Sequence, residues 1–290
     1  VHAKPARTAR KSAVAVAAGA VLAVLGVAVA QAGGTGGTDE PERSPAAQQP
    51  RELRLPPAGA GFDYQIGGGY ELPEGVEVIS RDREDDPAPD AYNICYVNAF
   101  QVQPGEQDDW DADLILRDGN GDPVIDGGWD EPLLDISTAD KRARVAEKVG
   151  DWFDGCAADG FDAVEPDNYD SFLRSAGLTT QEHALELMKL LAGRAHAAGL
   201  AIAQKNTLEL APHREEIGLD FAVVEECGQW EECGDFTEWF GDRVYVIEYE
   251  AAGMAWACDN FGDTLGIVQR DEYAVPADHP DHFRAVCPRP

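Results

Sequence analysis

The stretch Gly160–Asp170, GFDAVEPDNYD, sets four carboxylates (Asp162, Glu165, Asp167, Asp170) around a short apolar segment and a proline. A charge run is ordinarily a solvated face, yet this one stands where a buried strand would end. Similar segments recur on both sides: FDYQIGG (62–68), VEVISRD (76–82), NICYVNAF (93–100), LAIAQKN (200–206), FAVVEEC (221–227), VYVIEYE (244–250) and LGIVQRD (265–271). Helical patterns lie between several of them. Residues 137–160 open on Ser/Thr capping candidates and close on Gly160. Residues 179–200 repeat Leu185, Met188, Leu191 and Ala195 at helical spacing, which marks them as core.

Strands alternating with helices predict a parallel sheet with right-handed crossovers. Eight such strands predict an α/β fold, a (β/α)8 TIM-type barrel over residues 58–290. EPLLDIS (131–137) is a ninth candidate strand, in a long excursion before the fourth. An open doubly wound sheet is disfavoured, because IGGGYELPEG (66–75) lacks both the G-x-G-x-x-G spacing and a following helix.

In a parallel barrel the chemistry sits at the carboxyl ends of the strands. Asp82 closes the second, Asn98 the third and Glu165 with Asp167 the fourth. Lys205 with Asn206 closes the fifth, Glu225 with Glu226 the sixth, and Glu248 with Glu250 the seventh. Solvated loop charges have no reason to recur at one edge. The recurrence predicts a carboxylate-rich cleft.

The chain of 290 residues carries a formal net charge of −31, with 44% hydrophobic and 27% charged residues. That apolar content suits one large core. The acidity argues against nucleic acid, whose phosphates need clustered Lys and Arg, and favours cationic partners or a salt-adapted surface.

At the amino terminus, Lys4, Arg7, Arg10 and Lys11 precede an apolar run from Ala13 to Ala30, and Ala30-Gln31-Ala32 fits a small-x-small cleavage site. Residues 1–32 therefore read as a signal peptide. The run is also near the lower limit for a span, so an uncleaved anchor is the alternative. Residues 33–57, rich in Gly, Pro and charge, read as a disordered linker. A secreted or cell-envelope protein is expected, monomeric and with no stable membrane partner once the signal is removed.

Export makes the six cysteines a disulfide set. Cys227 and Cys233 bracket a short loop, Cys258 and Cys287 are placed to tie down the carboxyl-terminal segment, and Cys95 and Cys156 remain. Sequence leaves the connectivity open. No metal or cofactor is expected. The cysteines lack C-x-x-C spacing, the six histidines are scattered, and DGNGD (118–122) lacks the twelfth-position Glu of a calcium loop, where Trp129 stands.

The blocks FDYQIGG, ICYVNAF, GFDAVEPDN, AIAQKN, VVEECGQWEEC and VYVIEYE, in this order, resemble glycoside hydrolase family 114, the endo-α-1,4-polygalactosaminidase-like proteins. The segment 117–137 resembles the Gly-Asn, Gly-Trp and Asp-Ile stretch of the family. The likeness runs from Phe62 onward. It implies a TIM-type barrel, mostly secreted, that cleaves α-1,4-linked galactosamine polymers. Two blocks depart from the family pattern: Phe100-Gln101, and WDEP (129–132) where Trp-Pro-Gly-Glu is commoner.

Glycosidic cleavage needs one protonated and one ionised carboxyl group. Asp167 is expected as nucleophile or base, and one of Glu225 and Glu226 as acid, since adjacent strand residues face opposite ways. Glu165 would be a structural partner. Tyr64, Gln65, Asp82, Tyr96, Asn98, Glu165, Asn168, Lys205, Asn206 and Glu248 would bind sugar hydroxyls or ammonium groups. Trp129, Trp230 and Tyr249 would offer flat apolar faces. The alternatives are a catalytically silent carbohydrate-binding barrel and a hydrolase of another polysaccharide.

Overall fold

The computed structural model describes residues 52–288; the expected signal peptide and residues 33–51 of the expected linker lie outside them. In chain order the strands are β1 (Phe62–Gln65), β2 (Val78–Asp82), β3 (Tyr92–Asn98), β4 (Ile125–Asp126), β5 (Glu131–Pro132), β6 (Ala163–Asp167), β7 (Ala201–Lys205), β8 (Phe221–Glu225), β9 (Val244–Glu248), β10 (Gly266–Arg270) and β11 (Arg284–Val286). The helices are α1 (Ala139–Asp159), α2 (Gln181–Ala197), α3 (Arg214–Ile217), α4 (Cys233–Phe240) and α5 (Ala251–Phe261). Nine strands form one curled sheet in the order β1-β2-β3-β6-β7-β8-β9-β10-β11. The pairings from β1 to β10 are parallel, and β11 runs antiparallel to β10. Curling brings β10 back to β1, where the Arg270 guanidinium donates to the Tyr64 carbonyl. The fold is a TIM-like barrel.

Side-chain alternation splits each strand between two cores. Inward residues such as Phe62, Ile94, Phe221 and Tyr245 fill the barrel. Outward ones such as Cys95, Val164, Ile202 and Val246 pack under the helices. Helix α1 begins where the Thr138 side chain accepts from the Lys141 amide, and ends where Gly160 adopts a φ of 106° that a side chain would resist. Helix α2 begins with a reciprocal bond pair between Thr180 and His183 and buries Leu185, Met188, Leu191 and Ala195, as its periodicity predicts.

The barrel departs from the regular eightfold pattern in several places. No helix follows β1 or β2: residues 66–77 hold a Gly triplet and Pro-Glu-Gly, and residues 83–91 hold Asp-Asp-Pro-Ala-Pro, which break helices rather than extend them. The expected strand 131–137 is a two-residue strand paired with β4, continued by bridges from Leu133 to Gln101 and Leu134 to Ile115. Strand β11 carries no alternation long enough to be read from sequence. Residues 52–57, expected within the disordered linker, lie against the amino-terminal end of the barrel. The Tyr92 and Tyr245 hydroxyls donate to the Arg54 and Pro57 carbonyls at 2.7 Å each, and Arg54 pairs with Asp162 at 2.6 Å.

Three disulfides form, Cys95–Cys156, Cys227–Cys233 and Cys258–Cys287. They fasten α1 to β3, close the loop after β8, and tie the carboxyl-terminal segment to α5. Among the described residues, no helix is long and apolar enough to cross a membrane.

Candidate active site

Inward-facing residues at the carboxyl ends of β1, β2, β3, β6, β7 and β8 converge on one ammonium group. Lys205, 2% exposed, places its Nζ 2.9 Å from Glu165 Oε1, 3.4 Å from Asp167 Oδ1 and 3.8 Å from Glu225 Oε2. It also donates to the Tyr64 hydroxyl at 2.9 Å and lies over the rings of Tyr64 and Tyr96. Burial disfavours the charged amine, but Asp167, Glu225 and Glu165 outweigh it and hold its pKa well above the ordinary lysine value.

The carboxylates differ in depth and therefore in character. Glu165 is fully buried, accepting from Tyr64 Oη at 3.0 Å and Ser80 Oγ at 2.6 Å. Burial raises its pKa against the pull of Lys205 and Ser80. Asp167, two residues on and on the same face, reaches the mouth. Burial acts on it too, but Lys205, the Tyr96 hydroxyl at 2.7 Å and the Asn168 amide at 2.7 Å hold its carboxyl below the usual range. Asp167 is thus ionised through the mildly acidic range. Glu225 faces it, aimed by the Tyr249 hydroxyl and by Asn206 Nδ2 at 2.8 Å. The shared ammonium keeps the two carboxyl groups closer than the widest glycosidase pairs, about 9.5 Å apart.

Three of these strands end in left-handed turns at non-glycine residues: Asn168 (φ 65°), Asn206 (φ 46°) and Glu226 (φ 60°). Asparagine tolerates this conformation. The turn brings Asn168 and Asn206 back toward the cleft beside the strand residues they follow. Asn206 both donates to Glu225 Oε2 and accepts from the Glu225 amide at 2.8 Å. Glu226 follows β8 and lies close enough to Glu248 to help raise the pKa of that carboxyl. Glu225 is the candidate acid that the structure sets beside Lys205.

Alternation also separates residues that had been expected together. Tyr64 joins the cluster, whereas Gln65 turns outward and bonds Asp63 and Arg81 at 2.9 and 3.1 Å, in a network with Tyr70. Asp82, with its pKa raised by burial, accepts from the Glu84 amide in its own turn. Trp129 and Trp230 are exposed, 53% and 46%, and Trp129 meets Tyr273 edge to face at 6.4 Å between centroids.

Tyr249 enters the cleft, but Glu248 points away from it, buried between α5 and the loop closed by Cys227–Cys233. Its Oε1 accepts from the Gly228 amide at 2.6 Å. A Cβ on Gly253 would stand 2.1 Å from Glu248 Oε2, so that position requires glycine. Burial, against the amides of Gly228 and Gln229, pushes the Glu248 carboxyl up to about 7. A carboxyl whose pKa is higher in the folded chain favours folding at low pH. That contribution is lost as pH rises from the unfolded value, about 4.3, through about 7. Thermal melts should show wild-type stability declining across that window and Glu248→Gln flattening the decline. An identical pH dependence in the variant would refute this role.

Sequence reading missed three residues around the cleft. Ser80 shares a face with Asp82, and the two-residue period was the available signal. Arg174 and Glu131 had none, because neither follows a barrel strand. Arg174 binds Asp126 at 2.6 Å, Asp170 at 2.7 Å and Asn168 Oδ1 at 3.1 Å. Asn168 Nδ2 donates to Asn98 Oδ1 at 2.9 Å, and Asn98 Nδ2 to Glu131 Oε2 at 2.8 Å. The β4–β5 hairpin is thereby fastened to Asn168, the residue after Asp167. The 118–122 segment is a tight turn, with the Asp118 carboxylate accepting from the amides of Asn120 and Asp122 at 2.8 and 3.0 Å.

A model of the glycoside-hydrolase family GH114 matches residues 42–288. No curated protein sequence matches the chain. The solved structure of Aspergillus fumigatus Ega3 in complex with galactosamine is similar over 81% of this chain and 98% of its own, at 22% identity and a TM-score of 0.66. A variant of the glycoside hydrolase domain of PelA from Pseudomonas aeruginosa is similar over 78% of this chain and 98% of its own, at 12% identity and a TM-score of 0.53. At these identities the likeness is one of fold.

Proposed function

The chain belongs to glycoside-hydrolase family GH114, and from that premise we propose that it is a secreted, endo-acting hydrolase of α-1,4-linked galactosamine polymers. The observation that carries the reading is the ammonium of Lys205 held among Glu165, Asp167 and Glu225 at the barrel mouth. It keeps Asp167 ionised, as nucleophile or as base for water. Glu225, oriented by Tyr249 and Asn206, is the acid that protonates the leaving oxygen. The galactosamine held by Ega3 and the net charge of −31 support a cationic substrate. Three disulfides support an extracytoplasmic site of action.

The test is incubation of the purified protein with galactosamine polymer, deacetylated and N-acetylated, followed by mass spectrometry of the products. Internal cleavage to short oligomers is expected. Intact polymer throughout, with binding retained, would instead favour the carbohydrate-binding barrel.

A further inference from the structure

We propose that Glu131, on the β4–β5 hairpin, determines specificity by binding the free ammonium group of a galactosamine unit held beside Asp167; this deepens, and rests on, the hydrolase reading above. The carboxylate lies two side-chain bonds from the residue that follows Asp167. Glu131 Oε2 accepts from Asn98 Nδ2 at 2.8 Å, and Asn98 Oδ1 accepts from Asn168 Nδ2 at 2.9 Å. The same asparagine links therefore set its position relative to the reacting carboxylate.

Its neighbours already have cations. Asp167 has Lys205 at 3.4 Å, Asp126 has Arg174 at 2.6 Å, and Glu106 pairs with Arg83. Glu131 makes its bond to a neutral amide, and among the described residues no Lys, Arg or His side chain lies within ion-pair distance of it. A half-buried carboxylate without a cation is costly unless a ligand supplies one. An amino sugar carries that charge on the group that distinguishes it from its N-acetylated form. The acetamide offers no charge to exchange.

The local electrostatics agree. Burial, against the bond from Asn98 and together with Asp167, Asp126 and Glu106, pushes the Glu131 carboxyl up to about 7. A bound ammonium reverses that balance and draws a proton off the carboxyl. Affinity for the amine therefore falls as pH drops below about 7, while Asp167, kept low by Lys205, stays ionised. Arg174 and Arg83 are engaged by Asp126 and Glu106 and do not replace the ligand.

The experiment measures dissociation constants of galactosamine and N-acetylgalactosamine, neither of which can be hydrolysed, by calorimetry at pH 5.5 and 7.5. Wild type, Glu131→Gln and Glu131→Asp are compared, with melting temperatures as a check on folding. Glu131→Gln keeps the acceptor for Asn98 and loses the charge. It should weaken galactosamine binding at pH 7.5 by about 10–100-fold, the weight of one hydrogen bond to a charged group, and leave N-acetylgalactosamine unchanged. The pH dependence of galactosamine binding should disappear with it, and Glu131→Asp should retain part of the preference. Equal weakening of both sugars, or of neither, overturns the inference. Polymer cleavage by the wild type keeps the hydrolase reading standing in those cases. A wild type that neither cleaves polymer nor binds either sugar overturns both.

Discussion

Replacing Asp167 by Asn should lower turnover on galactosamine polymer by about 10²–10⁴-fold, the range for losing a positioned acid or base, and should change KM little. The amide keeps the shape that Tyr96 and the Asn168 amide hold at 2.7 Å, but it has no ionised oxygen to attack or to take a proton. Glu225→Gln should cost a similar factor, because only a carboxylic acid there can protonate the leaving group. Glu226→Gln should leave turnover near the wild-type value. Asp170, in the same acidic stretch, pairs with the Arg174 that braces Asn168, so it is linked to the site and makes a poor silent control. Asp140, 82% exposed on α1, is the cleaner control. Initial rates with folding checked by melting decide the matter. Near-normal turnover in Asp167→Asn, or a Glu226→Gln defect as deep as that of Glu225→Gln, would sink the assignment.

Lys205→Met should cost about 3–5 kcal/mol of folding stability, the usual penalty for removing one partner of a buried ion pair. For a domain of this size that is a fall of roughly 6–20 °C in melting temperature. The methionine fills the space of the lysine stem but strands Glu165, which is fully buried, together with Asp167 and Glu225. Without the ammonium, Glu165 and Asp167 bind protons more tightly in the folded chain. The deficit should therefore be largest at neutral pH and shrink as pH falls through the carboxyl range. Adding Glu165→Gln should restore part of the loss, because it removes a stranded charge, and a double-mutant cycle measures the coupling. A Lys205→Met protein that melts with the wild type would show that the ammonium does not hold the site together.

Parity along the strands explains most of where the candidate site residues lie. Once a strand end is located, the two-residue period sends Glu165 and Asp167 to one face, Tyr64 and Ser80 to the same interior, and Gln65 and Glu248 away from it. Gln65 and Glu248 stand next to cleft residues in sequence, but the alternation turns them from the cleft. Asn168 and Asn206 escape the rule, since a left-handed turn after the strand returns the next side chain toward the cleft.

From its order of residues alone, the chain determined the strands of the parallel sheet, the register of polar groups at their carboxyl ends, and the caps and buried stripes of α1 and α2. Those features depend on backbone propensity and local periodicity, which neighbouring residues carry themselves. Only the tertiary structure set Glu225 beside Lys205, paired the six cysteines, and laid residues 52–57 against the barrel. It also brought Glu131 and Arg174 to the mouth, and set one lysine among three carboxylates. Each of those depends on where segments far apart in sequence meet once the sheet curls, and on which groups burial then strips of water. No local pattern encodes that.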